Sequence, residues 1–395
     1  MLSFEEAKSR LIAAAQPLGH VEDVCTFDAL GRVLAADVVS LLDVPPADNS
    51  AMDGYALRLA DAGLLLPVSQ RIPAGVIGQP LQPGTAARIF TGAQVPPGAD
   101  VVVMQEHCEL DGDAVRIKQP VNPGQNIRRR GEDVAVGATV LAAGCKLDAA
   151  ALGMAASVGA ARLGVARPVR VALFSTGDEL VMPGEPLKPG AIYNSNRYTL
   201  RGLLQSLGCE VVDLGIVPDQ LEATRAALRE AASQADLILT SGGVSVGEED
   251  HLRPAVQAEG QLDLWQIALK PGKPLAYGKV GAAHFIGLPG NPVSSFVTFL
   301  MLVRPFILRL LGSTAVEPRR YALRADFAWP KPDRRREFLR ARLNAAGGLD
   351  LFPNQGSGVL TSVVWGNGLI DNPPGQAIAN GDTVQFMPFS EFLSA

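Results

Sequence analysis

In the opening stretch MLSFEEAKSRLIAAA, Phe4, Ala7, Leu11, Ile12 and Ala15 recur at helical spacing with charges opposite, which predicts an amphipathic surface helix and not a secretion signal. A second short helix is expected near Phe27 to Leu34, leading into the extended run VVSLLDVPP. From Asp48 to about Gly137 the pattern changes to short apolar runs broken by Pro and Gly, and Val115-Arg116-Ile117 after Asp-Gly-Asp signals a hairpin. Helical periodicity returns over 138–167 (LDAAALGMAASVGA), and these residues are expected to pack with the N-terminal helices as one discontinuous domain.

From Pro168 strands alternate with helices: PVRVALF, a helix from Asn196 to Leu207, CEVVDLGIV, a helix near 220–233, then ADLILT. Leu200, Leu203, Leu204 and Leu207 share one helical face, and Gly208 supplies the stop. Helical crossovers predict a parallel, doubly wound sheet with ligands at the carboxyl ends of its strands. The loops at those ends are STGDEL, VPDQ, TSGGVSVGEED and LPGNPVSS. After about Gly312 the alternating runs FLRARL and TVQFMPF, with Gly and Pro turns, predict a small β-barrel or sandwich. The expected architecture is multidomain α/β: 1–46 with 138–167, a β-rich domain over 47–137, an α/β domain over 168–312, and a β domain over 313–395.

Composition narrows the partners. The chain has 395 residues, 47% of them hydrophobic, enough for several cores. Its 35 basic and 40 acidic residues give a net charge of -5, which argues against a sequence-wide attraction to nucleic acid or an anionic membrane. Any anion site must therefore be local. Cys25, Cys108, Cys145 and Cys209 lie far apart, the usage of a reduced cytoplasm, and offer no zinc site; the four histidines are equally scattered. The most apolar run, Phe296 to Val303, is closed by Arg304 and Pro305 and falls short of the ~20 residues a bilayer needs. A soluble, cytoplasmic protein is expected.

Six stretches carry candidate chemistry. In LPGNPVSSFVT a strand ends at a turn through Pro289 and Gly290, with Asn291 placed as N-cap and Pro292 at the first helical position; such a junction suits an anion. In TSGGVSVGEED, Ser241, Gly242 and Gly243 leave room for a phosphate or ribose, although such a loop serves equally as a turn, and it is not a Walker loop. The acidic Glu248-Glu249-Asp250 beyond it suits a ribose hydroxyl or a metal bridging phosphates. In STGDEL a capping role explains Asp178 better than Glu179, which reads as functional. KPGKP brings Lys270 and Lys273 into one small volume, where they repel unless an anion separates them or both are solvated at a hairpin. Arg128-Arg129-Arg130 is a solvated face or, with Thr91 and Gly92, a phosphate clamp, and Asp48, Asn49, Ser50 and Asp53 are too dense for capping alone.

In this order, DNSAMDGYAL, TGAQVPPGAD, RRRGED, STGDEL, IYNSNRYTL, TSGGVSVGEED, KPGKP and LPGNPVSSF closely resemble the molybdopterin molybdenumtransferases, the bacterial MoeA type that also forms the C-terminal half of gephyrin. The resemblance covers essentially the whole chain. It implies an elongated helical domain from two chain segments, a β-rich domain, a MogA-like α/β domain and a C-terminal β-barrel, assembled as a homodimer. The implied activity is insertion of molybdate into adenylylated molybdopterin, releasing AMP and molybdenum cofactor, with magnesium as the cation. It further implies an oxyanion cradle of Lys270, Lys273, Pro289, Pro292 and Ser294, joined by Arg340 and Ser357 from the barrel. Ser241, Gly242, Gly243 and Asp250 would hold the adenylate, and Glu179, Asp219 and Asp250 the cation. Asp53, Thr91, Arg128 and Asp133 would approach from the other subunit, so that Asp53, Asp133, Glu179, Asp250 and Lys270 form the catalytic set.

Two positions depart from the family pattern: Gln266 stands where Lys or Arg is usual, and Asn194 replaces an acid found in some relatives. The implied partners are a MogA-like adenylyltransferase upstream and molybdoenzymes or their chaperones downstream, with no nucleic acid and no membrane. The rival readings are a nucleotide-binding or hydrolysing relative sharing only the MogA-like domain, as in competence-damage-type proteins, and a non-catalytic scaffold. DNSAMDGYAL and the C-terminal β domain argue against the first; Asp53, Glu179 and Asp250 argue against the second.

Overall fold

A computed structural model describes residues 1–243 and 251–393 of the chain. At its centre is a six-stranded sheet in the order Glu210–Val217, Arg170–Thr176, Leu237–Ser241, Ala283–Leu288, Pro274–Val280, Gly260–Gln266. The first four strands run parallel, as the alternating pattern predicts, but Pro274–Val280 is antiparallel to both of its neighbours. The sheet is therefore mixed. The reason is local: Pro274–Val280 and Ala283–Leu288 are joined by a tight turn with Gly281 at φ 59°, too short for a crossover helix.

Strand alternation divides the core. Val171 and Leu173 face one side with the helix Ser195–Ser206, whose Leu200, Leu203 and Leu204 are buried. Ala172 and Phe174 face the other side with the helices Leu221–Gln234 and Leu252–Glu259. The largest element on the first side is the continuous helix Pro292–Leu310. It passes through a π turn at Phe299–Val303 and continues over Arg304 and Pro305, so the expected stop there does not occur. Arg304 is tolerated because its guanidinium donates to the carbonyls of Phe392, Val316 and Glu391 at 3.1, 2.9 and 3.0 Å. This helix is long and apolar enough to cross a bilayer, but 94% of it is buried inside the fold, where it packs as a core helix.

The N-terminal helix Phe4–Ala14 forms with a capping box: Ser3 Oγ accepts from the Glu6 amide at 3.1 Å while Glu6 accepts from the Ser3 amide at 2.8 Å. Its apolar face, Phe4, Ala7 and Leu11, joins the core of the central α/β unit. What links 1–46 to 138–167 is mainly strand pairing: Val21–Cys25 with Arg162–Ala166, and Val38–Val39 with Thr139–Leu141. The helix Ala149–Ser157 packs beside them. The helix expected near Phe27 to Leu34 shrinks to a 3-10 turn, Thr26–Asp28. Gly31 at φ 76° breaks it, and the Leu34 amide bonds the Cys145 carbonyl instead. Together these segments hold less helix than their pattern predicts.

Residues 47–137 contain a second six-stranded sheet, in the order Val101–Met104, Gly54–Leu57, Ala86–Ile89, Leu65–Ile72, Ala114–Ile117, Cys108–Asp111. The last two strands are the expected hairpin, turning at Gly112 with φ 60°. In the C-terminal part, Arg336–Leu343 pairs with Gly368–Asn372, that strand with Thr383–Pro388, and the next with Tyr321–Arg324. A bridge from Ala325 to Leu349 and the pairing of Leu349–Leu351 with Arg336–Leu343 bring the ring back to its first strand. Leu269–Lys270, which belongs in sequence to the α/β unit, adds to this sheet in parallel with Arg336–Leu343.

Candidate active site

The parallel strands Arg170–Thr176, Leu237–Ser241 and Ala283–Leu288 end side by side, and beyond their carboxyl ends lies a cleft of about 880 Å³. Its floor is made by Thr176, Ser241, Gly242, Gly243 and Pro289, and its far wall by Lys270 to Pro274 and by Gln355 to Ser357 of the C-terminal domain. Gly242 and Gly243 have φ values of 89° and 65°, conformations that side-chain-bearing residues rarely adopt. They also leave the cleft floor bare. Of the predicted residues, Glu179, Ser241, Gly242, Gly243, Lys270, Lys273, Pro289, Pro292, Ser294 and Ser357 line this one space.

The helix at Pro292 starts as the sequence implies, but Asn291 makes no side-chain cap, and the Val293 amide is already bonded to the Ser357 carbonyl at 2.9 Å. That bond joins the two domains across the cleft. Arg340 does not line the cleft: it is 1% exposed, and its guanidinium donates to Ser362 Oγ, the Phe338 carbonyl and the Gly356 carbonyl at 3.1, 3.1 and 3.2 Å. Burial lowers its pKa to about 10. It therefore supports the Gly356–Ser357 wall from behind.

The arginine that does line the cleft is Arg335, held by Asp333 through contacts of 2.9 and 2.8 Å. These bonds hold the Asp333 carboxyl well below the usual carboxylate range. The basic run Asp333-Arg334-Arg335-Arg336 before a strand was the available signal for it. Lys270 is likewise paired, with Glu337 Oε1 at 3.1 Å and Asp333 Oδ2 at 3.4 Å. Part of the anionic charge that two adjacent lysines require is thus supplied by the protein. Lys273 has no such partner among the described residues.

Glu179 stands exposed at the end of Arg170–Thr176. Its side chain folds back over Gly177, where an added Cβ would lie 2.5 Å from Oε2. Asp219 sits one loop away, beyond Glu210–Val217, and its amide bonds Asp178 Oδ1 at 3.4 Å; it is not in the cleft lining. Asp250 lies outside the described residues. Among those residues no three His, Cys, Asp or Glu side chains gather as a metal site.

The sequence reading noted Asn194 only as a departure from the family pattern, and it missed Asn196. Asn194 caps the helix Ser195–Ser206 by accepting from the Arg197 amide at 3.1 Å, and Asn196 donates to the Gly290 carbonyl at 2.7 Å. Both line the cleft, and Asn194 Nδ2 and Asn196 Oδ1 have no hydrogen-bond partner among the described residues. Gln266 is exposed and does not line the cleft, so the missing family charge is not missing from this wall.

The remaining predicted residues lie in the β-rich domain. Asp53 Oδ1 accepts from the Thr91 amide and hydroxyl at 2.8 and 2.7 Å, and these two bonds lower its pKa, the amide bond most. In the basic run, Arg129 and Arg130 pair with Asp48 and Asp43, whereas Arg128 is in neither pair. Asp133 is exposed, with its amide on the Val44 carbonyl at 3.0 Å. None of Asp53, Thr91, Arg128 and Asp133 lines the cleft of its own chain.

Three family profiles match in order: the MoeA N-terminal region (domain I and II) over residues 2–159, a probable molybdopterin binding domain over 172–309, and the MoeA C-terminal region (domain IV) over 322–389. The molybdopterin molybdenumtransferase of Haemophilus influenzae is 41% identical, with 100% of each chain covered. Molybdopterin molybdenumtransferase 2 of Mycobacterium tuberculosis is 40% identical over 87% of this chain and 89% of that one. The crystal structure of the molybdopterin biosynthesis MoeA protein of Pyrococcus horikoshii superposes with a TM-score of 0.86 at 28% identity, covering 98% of this chain and 100% of that one.

Proposed function

The chain belongs to the MoeA-type molybdopterin molybdenumtransferases, and on that premise we propose that its cleft inserts molybdate into adenylylated molybdopterin, releasing AMP and molybdenum cofactor. The observation that carries this reading is the two-ended cleft, with bare glycines and Glu179 at the strand ends and the cations Lys270, Lys273 and Arg335 toward the C-terminal domain. A tetrahedral dianion suits the cationic end, where Ser294 and Ser357 add hydroxyls. The adenylate suits the glycine end, where Gly242 and Gly243 present no side chain to a phosphate. The chain's residues bind and orient the two reactants and offset their charge; the reaction demands no protein nucleophile.

Magnesium fits the donor set in part. Glu179 offers a hard carboxylate at the cleft, with Asp219 in the neighbouring loop and Asp250 expected to complete the set. When bound, the ion offsets charge on the phosphoanhydride oxygens. Asp53, Thr91, Arg128 and Asp133 are exposed or at loop ends but remote from their own cleft, which supports a homodimer in which they close the cleft of a second copy. A finer division into an elongated two-segment domain, a β-rich domain, a MogA-like domain and a β-barrel accords with this arrangement. Supply by a MogA-like adenylyltransferase, delivery to molybdoenzymes or their chaperones, and a cytoplasmic site complete the reading.

Incubation with adenylylated molybdopterin, molybdate and magnesium should release AMP only when all three are present. Release that ignores molybdate would overturn the transfer reading in favour of simple hydrolysis. The shared cleft is tested by mixing at a molybdate concentration that saturates only the wild type: Asp53→Ala and Lys270→Ala proteins, each nearly inactive there, should regain up to about a quarter of wild-type activity on subunit exchange, since only one cleft of each mixed dimer is intact. A fully active monomer in sedimentation velocity would sink it.

A further inference from the structure

The cleft lysines are not equivalent, and the difference originates in the C-terminal domain. Lys270 and Glu337 are register partners across the parallel pairing of Leu269–Lys270 with Arg336–Leu343, reinforced by the Arg336 amide on the Ala268 carbonyl at 3.0 Å. Glu337 is 0% exposed. Its Oε2 accepts from Trp329 Nε1 at 2.9 Å, the Asp333 amide at 3.1 Å and Asn372 Nδ2 at 3.3 Å. Its Oε1 accepts from Lys270 Nζ at 3.1 Å. A carboxylate so far from water is stable in its charged form only when every lone pair is used and a cation stands beside it. Lys270 is that cation, and it also lies 6.0 Å from the Trp329 ring centroid.

We propose that Glu337 is a positioning residue for the oxyanion site: it fixes the Lys270 ammonium at the cleft wall and offsets its charge, leaving Lys273 as the cation that answers directly to the incoming anion. The inference rests on the transferase reading for the identity of that anion, but its geometry does not. Lys270 then acts as an oriented donor, and Lys273, which has no ion-pair partner among the described residues, acts as the unmatched charge. Because the anchoring carboxylate belongs to the C-terminal ring and the lysine to the α/β unit, the cleft wall is correctly formed only when the two are docked.

The test uses the full-length protein and two readouts. The first is the rate of lysine acylation by acetic anhydride, followed peptide by peptide in the mass spectrometer. Lys270 should react about tenfold more slowly than Lys273 in the wild type, as expected for an ammonium held by a charge-assisted bond. Glu337→Gln should remove most of that difference. The second is the molybdate concentration giving half-maximal AMP release. Glu337→Gln should raise it about tenfold, yet add less than twofold when Lys270 is already Ala. A packing defect would leave the half-saturating concentration alone or add to the Lys270→Ala effect.

Trp329→Phe, which removes one donor and neither charge, gives a milder version of the same shift in labelling should Glu337→Gln fail to fold. Unchanged Lys270 labelling in both variants, strictly additive effects, or a lowered half-saturating concentration would overturn the proposal. A labelling change with no effect on molybdate dependence in any variant would uphold the anchoring and overturn the assignment of the anion.

Discussion

Glu179→Gln is expected to lower molybdate-dependent AMP release about 100-fold, the scale set by removing one preorganised electrostatic group from a reaction site. The thermal midpoint should hardly move. Glu179 is exposed, makes no contact in either hydrophobic core of the α/β unit, and is displayed by the loop at Gly177, whose φ of 144° turns the chain away from the strand end. Replacing a carboxylate by its isosteric amide therefore removes a charge and nothing that packs. The rate is read by chromatography of AMP at saturating magnesium and molybdate. Turnover within threefold of wild type would remove Glu179 from the catalytic set.

The largest expected loss of stability follows from Arg340→Ala. Its guanidinium holds the Ser362 hydroxyl and the Phe338 carbonyl in the buried interior of the C-terminal ring, and the Gly356 carbonyl behind the cleft wall. Stripping buried acceptors of their donor costs ~1 to 3 kcal/mol each, so a total of about 4 kcal/mol is expected once the emptied space is included. Urea unfolding should show the loss as a lower midpoint. Arg340→Lys should recover little, because one ammonium cannot reproduce three divergent N–H directions. A loss below about 1 kcal/mol would mean that water reaches this interior and that the arginine does not brace the cleft wall.

These two residues mark the boundary of what the sequence makes legible. The position of Glu179 follows from one rule, that loops after parallel strands face the ligand, and the strands Arg170–Thr176 and Leu237–Ser241 are plain in the pattern. So are the helix Ser195–Ser206 and the hairpin at Gly112, because each is specified by its own residues. Arg340 falls in a strand whose central five residues, Glu337 to Ala341, are all buried. When both faces of a strand are covered, alternation no longer tells inside from outside, and charge is then a poor guide to exposure. Arg335, just before that strand, takes the role at the cleft. The pairing of Lys270 with Glu337 depends on the register between two strands distant in sequence, which no local pattern encodes. The failed helix near Phe27 is the converse case: its apolar residues suited a helix, but Phe27 is 90% exposed, and the backbone bonds were taken by the later segment.

The placement of the first helix bears on how the protein is made. Phe4, Ala7 and Leu11 lie in one core with Leu200, Phe306 and Phe338, and the Phe4 and Phe338 rings meet edge-on at 5.4 Å. The helix is synthesised well before the surfaces that cover it. Synthesis thus runs against the usual order in which domains close from the N-terminus onward. An uncovered greasy stripe trails from the nascent chain through most of translation, so nascent chains halted before Pro168 should recruit hydrophobic-binding chaperones through that stripe, and Leu11→Ser should weaken the capture.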